Sequence, residues 1–127
     1  MILENLQDPG NLGTMIRTGE GAGITGVIMN QQTVDIFNPK TIRATMGSIF
    51  RVPFVYVPEL SPVLTQMHEK GIHTYAAHLK GQKYYDSFSF REPTAFLIGN
   101  EGNGLTKEIS DQAGQYLKIP MEGKVES

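Results

Sequence analysis

Two stretches of this chain combine a permissive backbone with polar side chains that could meet a ligand. The first is Gly99-Asn100-Glu101-Gly102-Asn103-Gly104, between the apolar run Thr94 to Ile98 and a segment with helical spacing. Glycine there would let the backbone approach a nucleoside or phosphate closely. No Gly-Lys-Ser/Thr follows, so this is not a Walker loop, and the glycine spacing is not the dinucleotide fingerprint. Glu101 inside the loop would repel a phosphate. By spacing alone, a ligand loop and a surface turn both remain open. The second stretch centres on Arg17, which shares a helix face with Gly13 and Gly21 at steps of four. A long cation without bulky neighbours could receive a large anionic ligand. An exposed arginine in a weak surface pair is the competing reading.

A third feature is electrostatic. From Ile36 to Val57 the charged residues are Lys40, Arg43 and Arg51, with no acid. These cations could contact phosphates, or they could simply solvate a helix face. His68, His73 and His78 have no metal spacing and no cysteine partners, so they read as ordinary histidines and no metal is expected. Neither a Gly-x-Ser-x-Gly elbow nor a His-Glu-x-x-His motif occurs.

These groups need elements to position them, and the punctuation of the chain supplies candidates. Met1 to Leu6 reads as the end of a strand, and Asp8 to Asn11 as a turn. Leu12, Met15, Ile16 and Gly19 form a helical stripe ended by Gly21 and Gly23. Gly26 to Met29 reads as a buried strand. Asn38-Pro39 opens a second helix whose apolar stripe is Ile42, Met46, Ile49 and Phe50. Val52 to Val57 reads as a strand, and Pro53 argues that it begins at an edge or late. Ser61-Pro62 repeats the cap-plus-proline signal, and Gly71 closes that helix. Ile72 to Ala77 and Thr94 to Ile98 read as strands flanking a loop, His78 to Arg91. Thr106 to Ala113 reads as a helix, Tyr116 to Ile119 as a last strand, and Pro120 to Ser127 as loop. Strands alternate with helices, which predicts one α/β domain with a mostly parallel sheet covered by helices on both faces. In such sheets ligands sit beyond the carboxyl ends of strands, where the glycine loop, the segment after Ala77 and the segment after Ile119 all fall.

Composition narrows the function classes. The 127 residues hold 11 Lys plus Arg and 13 Asp plus Glu, a formal net charge of −2, which excludes binding nucleic acid by bulk charge but not by a local patch. The absence of cysteine excludes a disulfide scaffold, a thiolate zinc site and a cysteine nucleophile. No apolar run reaches the roughly 20 residues of a membrane span and no signal peptide opens the chain, so a cytoplasmic protein is expected.

Three stretches in order resemble the SpoU (TrmH-like) family of RNA ribose 2′-O-methyltransferases, of the SPOUT class. Asp8-Pro9-Gly10-Asn11-Leu12-Gly13-Thr14-Met15-Ile16-Arg17-Thr18 is similar to that family's first motif, and Phe96 to Leu105 to its second. Ile119-Pro120-Met121-Glu122-Gly123-Lys124-Val125-Glu126-Ser127 is similar to the opening of its third. Phe37-Asn38-Pro39-Lys40 to Met46-Gly47-Ser48 is also typical of it, so the resemblance covers the whole chain.

The resemblance implies a trefoil-knotted α/β domain that binds S-adenosylmethionine, methylates rRNA or tRNA and works as a homodimer without a metal. It places the cofactor against Ala77, Gly99, Asn100, Glu101, Gly102, Ile119 and Met121. It assigns catalysis to Arg17, with Asn11, Glu101 and Ser127 in support. A guanidinium is always charged, so Arg17 is read as orienting a phosphate and stabilising a developing alkoxide, with no part as a base. RNA contact is expected at Arg17, Lys40, Arg43 and Arg51. The family's third motif continues beyond this serine into a final helix, and family members usually carry an upstream RNA-binding domain. A shortened catalytic domain with an incomplete knot is therefore expected. A non-catalytic RNA-binding fragment and a Rossmann-like nucleotide binder are the alternatives.

Overall fold

The computed structural model describes residues 1–77, 83–84 and 92–118. The strands are β1 (Ile2–Leu3), β2 (Val27–Asn30), β3 (Phe54–Val57), β4 (His73–Ala77), β5 (Lys83–Tyr84), β6 (Thr94–Ile98) and β7 (Gln115–Lys118). The helices are α1 (Pro9–Gly21), α2 (Pro39–Thr45), α3 (Ser61–Glu69) and α4 (Lys107–Gln112), with a 3₁₀ turn at Ser48–Phe50. One seven-stranded sheet runs in the order β3-β2-β1-β6-β4-β7-β5, and every strand pairing is parallel.

The period of two along the strands sorts side chains onto two cores. Leu3, Val27 and Met29 pack with Leu12 and Ile16 of α1 on one face. Ile2, Ala95 and Leu97 pack with Leu64 of α3 and Ile109 of α4 on the other. The α/β architecture expected from the alternation is therefore present; β3 lies at an edge and begins at Phe54, after Pro53, in line with both placements that proline allowed.

Helix α1 begins at Pro9, inside the stretch read as a turn, because Asp8 caps it by accepting from the Asn11 amide at 3.0 Å. Leu60, and not Ser61, stands at the cap position of α3; Ser61 Oγ instead accepts from Gln112 Nε2 of α4 at 2.6 Å. Within the stretch read as a loop, Lys83–Tyr84 adds a short strand beside β7.

The largest departure concerns α2. The stripe Ile42, Met46, Ile49, Phe50 predicts a longer helix buried on that side. The helix instead stops at Thr45, with Met46 at φ +50° and Gly47 at φ +91°. Met46 is 70% exposed and Phe50 87%. The buried side is polar and small: Thr41, Thr45 and Ser48. Each of their hydroxyls is satisfied, Thr41 on Pro9 O at 2.9 Å, Thr45 on Ile42 O at 2.7 Å and Ser48 on Glu20 Oε1 at 2.8 Å. Small residues win that side because α1 lies too close for larger ones. A Cβ on Gly13 would stand 2.4 Å from Thr41 O and 2.5 Å from Ala44 Cβ. The loop leading into α2 is pinned by Tyr56, whose hydroxyl accepts from the Ile36 amide at 2.8 Å and donates to Val34 O at 2.6 Å. Burial pushes that phenol above its ordinary pKa.

Candidate active site

Parallel strands bring their carboxyl ends to one crest. The register aligns Ala76 with Leu97 and Ala77 with Leu117, so Ala77 stands beside Ile98 with Gly99 next along the chain. Neighbouring strands are about 4.8 Å apart. The strands β4, β6 and β7, which lead to three of the segments assigned to the cofactor, thus end side by side. Ile119, Met121 and Ser127 lie outside the described residues.

The glycine loop closes on itself. The Asn100 amide donates to Gly104 O at 3.0 Å, and the Gly104 amide donates to Asn100 O at 2.8 Å. Asn100 Oδ1 accepts from the amides of Gly102 at 2.9 Å and Asn103 at 3.0 Å. A Cβ on Gly99 would fall 2.1 Å from the Leu105 nitrogen. Gly99 is therefore required by the loop's own closure, a different reason from the close ligand approach read from the sequence.

The polar side chains of the loop face the start of α1. Glu101 accepts from the Gln7 amide at 3.0 Å and from the Asp8 amide. Asn100 Nδ2 donates to Asn5 O at 2.8 Å. Glu4, 5% exposed, accepts from the Thr106 amide at 2.7 Å and its hydroxyl at 2.8 Å. Three staples across a sequence separation of 93–102 residues thus tie the glycine loop and Thr106 just after it to residues 4–8 at the start of the chain. The Asn100 and Glu101 side chains are both engaged in these staples. Sequence reasoning missed Glu4, Asn5 and Thr106. The available signal was a charged residue directly after the apolar pair Ile2-Leu3.

Arg17 and Asn11 are both exposed on α1. Six residues separate them, which puts them about 120° apart around the axis and about 9 Å along it. Asn11 therefore does not face Arg17 across one helix turn. Arg17 has no side-chain partner among the described residues. The Gly13 side of its helix is filled by Thr41 and Ala44 of α2, whereas Gly21 has nothing within 4 Å. Lys40 and Arg43 are exposed on the neighbouring α2 and likewise free of described partners.

Arg51 differs from those cations. Its Nε donates to Glu20 Oε2 at 2.6 Å and its Nη2 to Glu20 Oε1 at 2.9 Å. The Arg51 guanidinium and the Ser48 hydroxyl hold the Glu20 carboxyl below the usual carboxylate range. Arg51 thus braces α1 against the 3₁₀ turn and has less charge to offer an RNA than Lys40 or Arg43. His68 Nε2 lies 3.0 Å from Thr74 Oγ1, and His73 faces Glu92. His78 is outside the described residues. Among the described residues no cluster of three His, Cys, Asp or Glu side chains could hold a metal, and no helix is long and apolar enough to cross a membrane.

The donor set decides what the crest can hold. The Gly102 and Asn103 amides are already taken by Asn100, and a carboxylate stands in the loop, so among the described residues this loop forms no phosphate cradle. That disfavours a dinucleotide. The Glu101 carboxylate suits a ligand carrying positive charge, as S-adenosylmethionine does at its sulfonium.

Comparison with known proteins agrees. Residues 1–127 match the SpoU rRNA Methylase family. The chain is 35% identical over 127 residues to the 23S rRNA (guanosine(2553)-2'-O)-methyltransferase RlmP of Bacillus subtilis, covering all of this chain and 51% of that protein. It superposes on the SpoU methyltransferase AviRb of Streptomyces viridochromogenes bound to AdoMet with a TM-score of 0.89 and 30% identity, covering 99% of this chain and 49% of that one. The AdoMet-bound rRNA methyltransferase of Sinorhizobium meliloti gives a TM-score of 0.85 and 36% identity, covering 99% and 48%. The chain spans about half the length of the curated relatives it matches.

Proposed function

Because the chain belongs to the SpoU rRNA Methylase family, we propose that residues 1–127 form one methyl-transfer domain acting on a ribose 2′-hydroxyl of rRNA or tRNA. The observation that carries this reading is the exposed Arg17, without a side-chain partner among the described residues, on a helix whose N-terminus is held by the glycine loop. S-adenosylmethionine, when bound at the crest, supplies an activated methyl group on a sulfonium. The chain's own residues bind and orient. Backbone at Ala77 and Gly99 to Gly102, with Ile119 and Met121, forms the cofactor wall. Arg17 holds an RNA phosphate and stabilises negative charge developing on the ribose oxygen, since a 2′-hydroxyl is a poor nucleophile until polarised. Asn11 and Ser127 serve the ribose side. Glu101 keeps α1 and the glycine loop in register. Lys40 and Arg43 extend the cationic surface along α2 toward RNA phosphates, and a local patch suffices despite the net negative chain.

Two further features belong to the same reading. β7 lies between β4 and β5, which follow one another in sequence, a strand order compatible with a trefoil knot. A homodimer accounts for the exposed apolar surface of Phe37, Ile42, Met46 and Phe50, which a monomer would leave to water. The protein works in the cytoplasm, on its RNA.

The test is Arg17→Ala, read by methyl transfer and by calorimetric titration with S-adenosylmethionine. Transfer is expected to fall at least about a hundredfold, as for loss of a preorganised charge donor, with cofactor affinity retained. Unchanged turnover would remove Arg17 from this role. Salt-sensitive RNA binding by a wild-type chain that does not bind the cofactor would favour a non-catalytic RNA-binding fragment.

A further inference from the structure

Asn30 closes β2, is nearly buried and lies outside all three motif stretches. Its Oδ1 accepts from the Asn5 amide at 2.9 Å and from the Thr33 hydroxyl at 2.9 Å. Its Nδ2 donates to Asn5 Oδ1 at 2.8 Å. One side-chain amide thus grips both the backbone and the side chain of Asn5.

Asn5 needs that grip. It has φ +57°, a left-handed conformation that residues other than glycine adopt rarely and asparagine tolerates best. β1 ends at Leu3, so the strand ladder does not hold Asn5. The left-handed turn presents the Asn5 carbonyl to Asn100 Nδ2 at 2.8 Å. Asn100 then fixes the Gly102 and Asn103 amides through its Oδ1. The hydrogen bonds run without a break from the end of β2 to the tip of the glycine loop.

We infer that Asn30 is a positioning residue for the glycine loop, acting through Asn5 and Asn100 and touching neither cofactor nor RNA. The inference rests on the reading of that loop as a cofactor wall. Without the Asn30 amide, the Asn5 amide, Asn5 Oδ1 and the Thr33 hydroxyl all lose a partner in a layer with little access to water. Asn5 relieves this by leaving the left-handed region, which swings its carbonyl away and frees Asn100.

Asn30→Ala and Asn30→Asp separate positioning from bulk. Aspartate keeps an oxygen for the Asn5 amide and Thr33, and the Asn5 side-chain amide, turned over, donates to its second oxygen. In unliganded protein well below the melting temperature, Asn30→Ala is expected to speed hydrogen exchange at Gly102 and Asn103 about tenfold, the scale of one lost buried bond. Exchange in β2 and β3 should keep its wild-type rate. The dissociation constant for S-adenosylmethionine should rise by about the same factor. Asn30→Asp should restore both. Wild-type exchange at Gly102 and Asn103 in folded Asn30→Ala, or equal defects in the two variants, would overturn the inference. If Asn30→Ala does not fold, Thr33→Ala removes a single donor to Asn30 and should shift the same two amides less, and unshifted amides there would overturn it too. A wild-type chain that fails to bind the cofactor would sink the reading of the loop as its wall. The exchange measurement would still decide whether Asn30 positions it.

Discussion

Gly13→Ala should destabilise this protein even though alanine is the better helix former. A Cβ at residue 13 would lie 2.5 Å from Ala44 Cβ and 2.4 Å from Thr41 O. Carbon atoms pack at about 3.5–4.0 Å, so α1 and α2 must part by about 1 Å. Overpacking of that kind costs about 1–3 kcal/mol. Parting also strains the Thr41 hydroxyl bond to Pro9 O, 2.9 Å long, whose loss adds about 1 kcal/mol. Helix propensity returns about 0.8–1.0 kcal/mol. The net expectation is about 1–3 kcal/mol of lost stability. Gly21→Ala, on the same helix with nothing within 4 Å, provides the control and should be neutral or stabilising by up to about 1 kcal/mol. Urea unfolding of both variants at 25 °C, analysed with a common slope, measures the difference. Because Arg17 rides on α1, a displacement of about 1 Å should also cut methyl transfer about a hundredfold in Gly13→Ala while leaving cofactor affinity at the crest unchanged. A Gly13→Ala chain as stable as wild type would refute the reasoning that α2 dictates glycine at this position.

If the proposed homodimer uses this apolar surface, Phe50→Glu should raise its dissociation constant about 10- to 100-fold in sedimentation equilibrium while the monomer stays folded, since Phe50 makes no core contact to lose; an unchanged association, or a wild-type monomer, would refute the proposed interface. The Glu20 carboxyl has a depressed pKa in the folded state, so its contribution is complete above the ordinary carboxylate value of about 4.3 and disappears as pH falls through the lower folded value. Stability measured from pH 6 downward should therefore fall less steeply in Glu20→Gln than in wild type, and parallel pH curves would show that the Arg51 pair adds nothing.

The chain's punctuation made most of the elements legible. Asn38-Pro39 is a side-chain cap followed by a residue already fixed for the helix, and the structure uses it that way. Gly71 stands at φ +76°, and Pro53 leads into an edge strand. Such signals are local, so the sequence carries them in full. The motif order identified the family for the same reason, since each motif is a contiguous run.

Partnership across the fold is not local. The apolar stripe of α2 specifies a face that prefers to leave water, and it does not specify what will cover it. The close approach of α1 at Gly13 assigned the buried side to Thr41, Thr45 and Ser48 and turned Met46 and Phe50 outward. Arg51 counted as a free cation until the packing of α1 brought Glu20 to it. Glu101 stands in the glycine loop, and only the fold shows that its carboxylate accepts from amides more than 90 residues away. The sequence by itself therefore determined the elements, the sheet class and the family, because capping, periodicity and contiguous motifs act over a few residues. Only the tertiary structure decided which side chains are spent on staples and which, like Arg17, have no partner among the described residues, because a hydrogen bond is satisfied by whatever the fold brings within 3 Å.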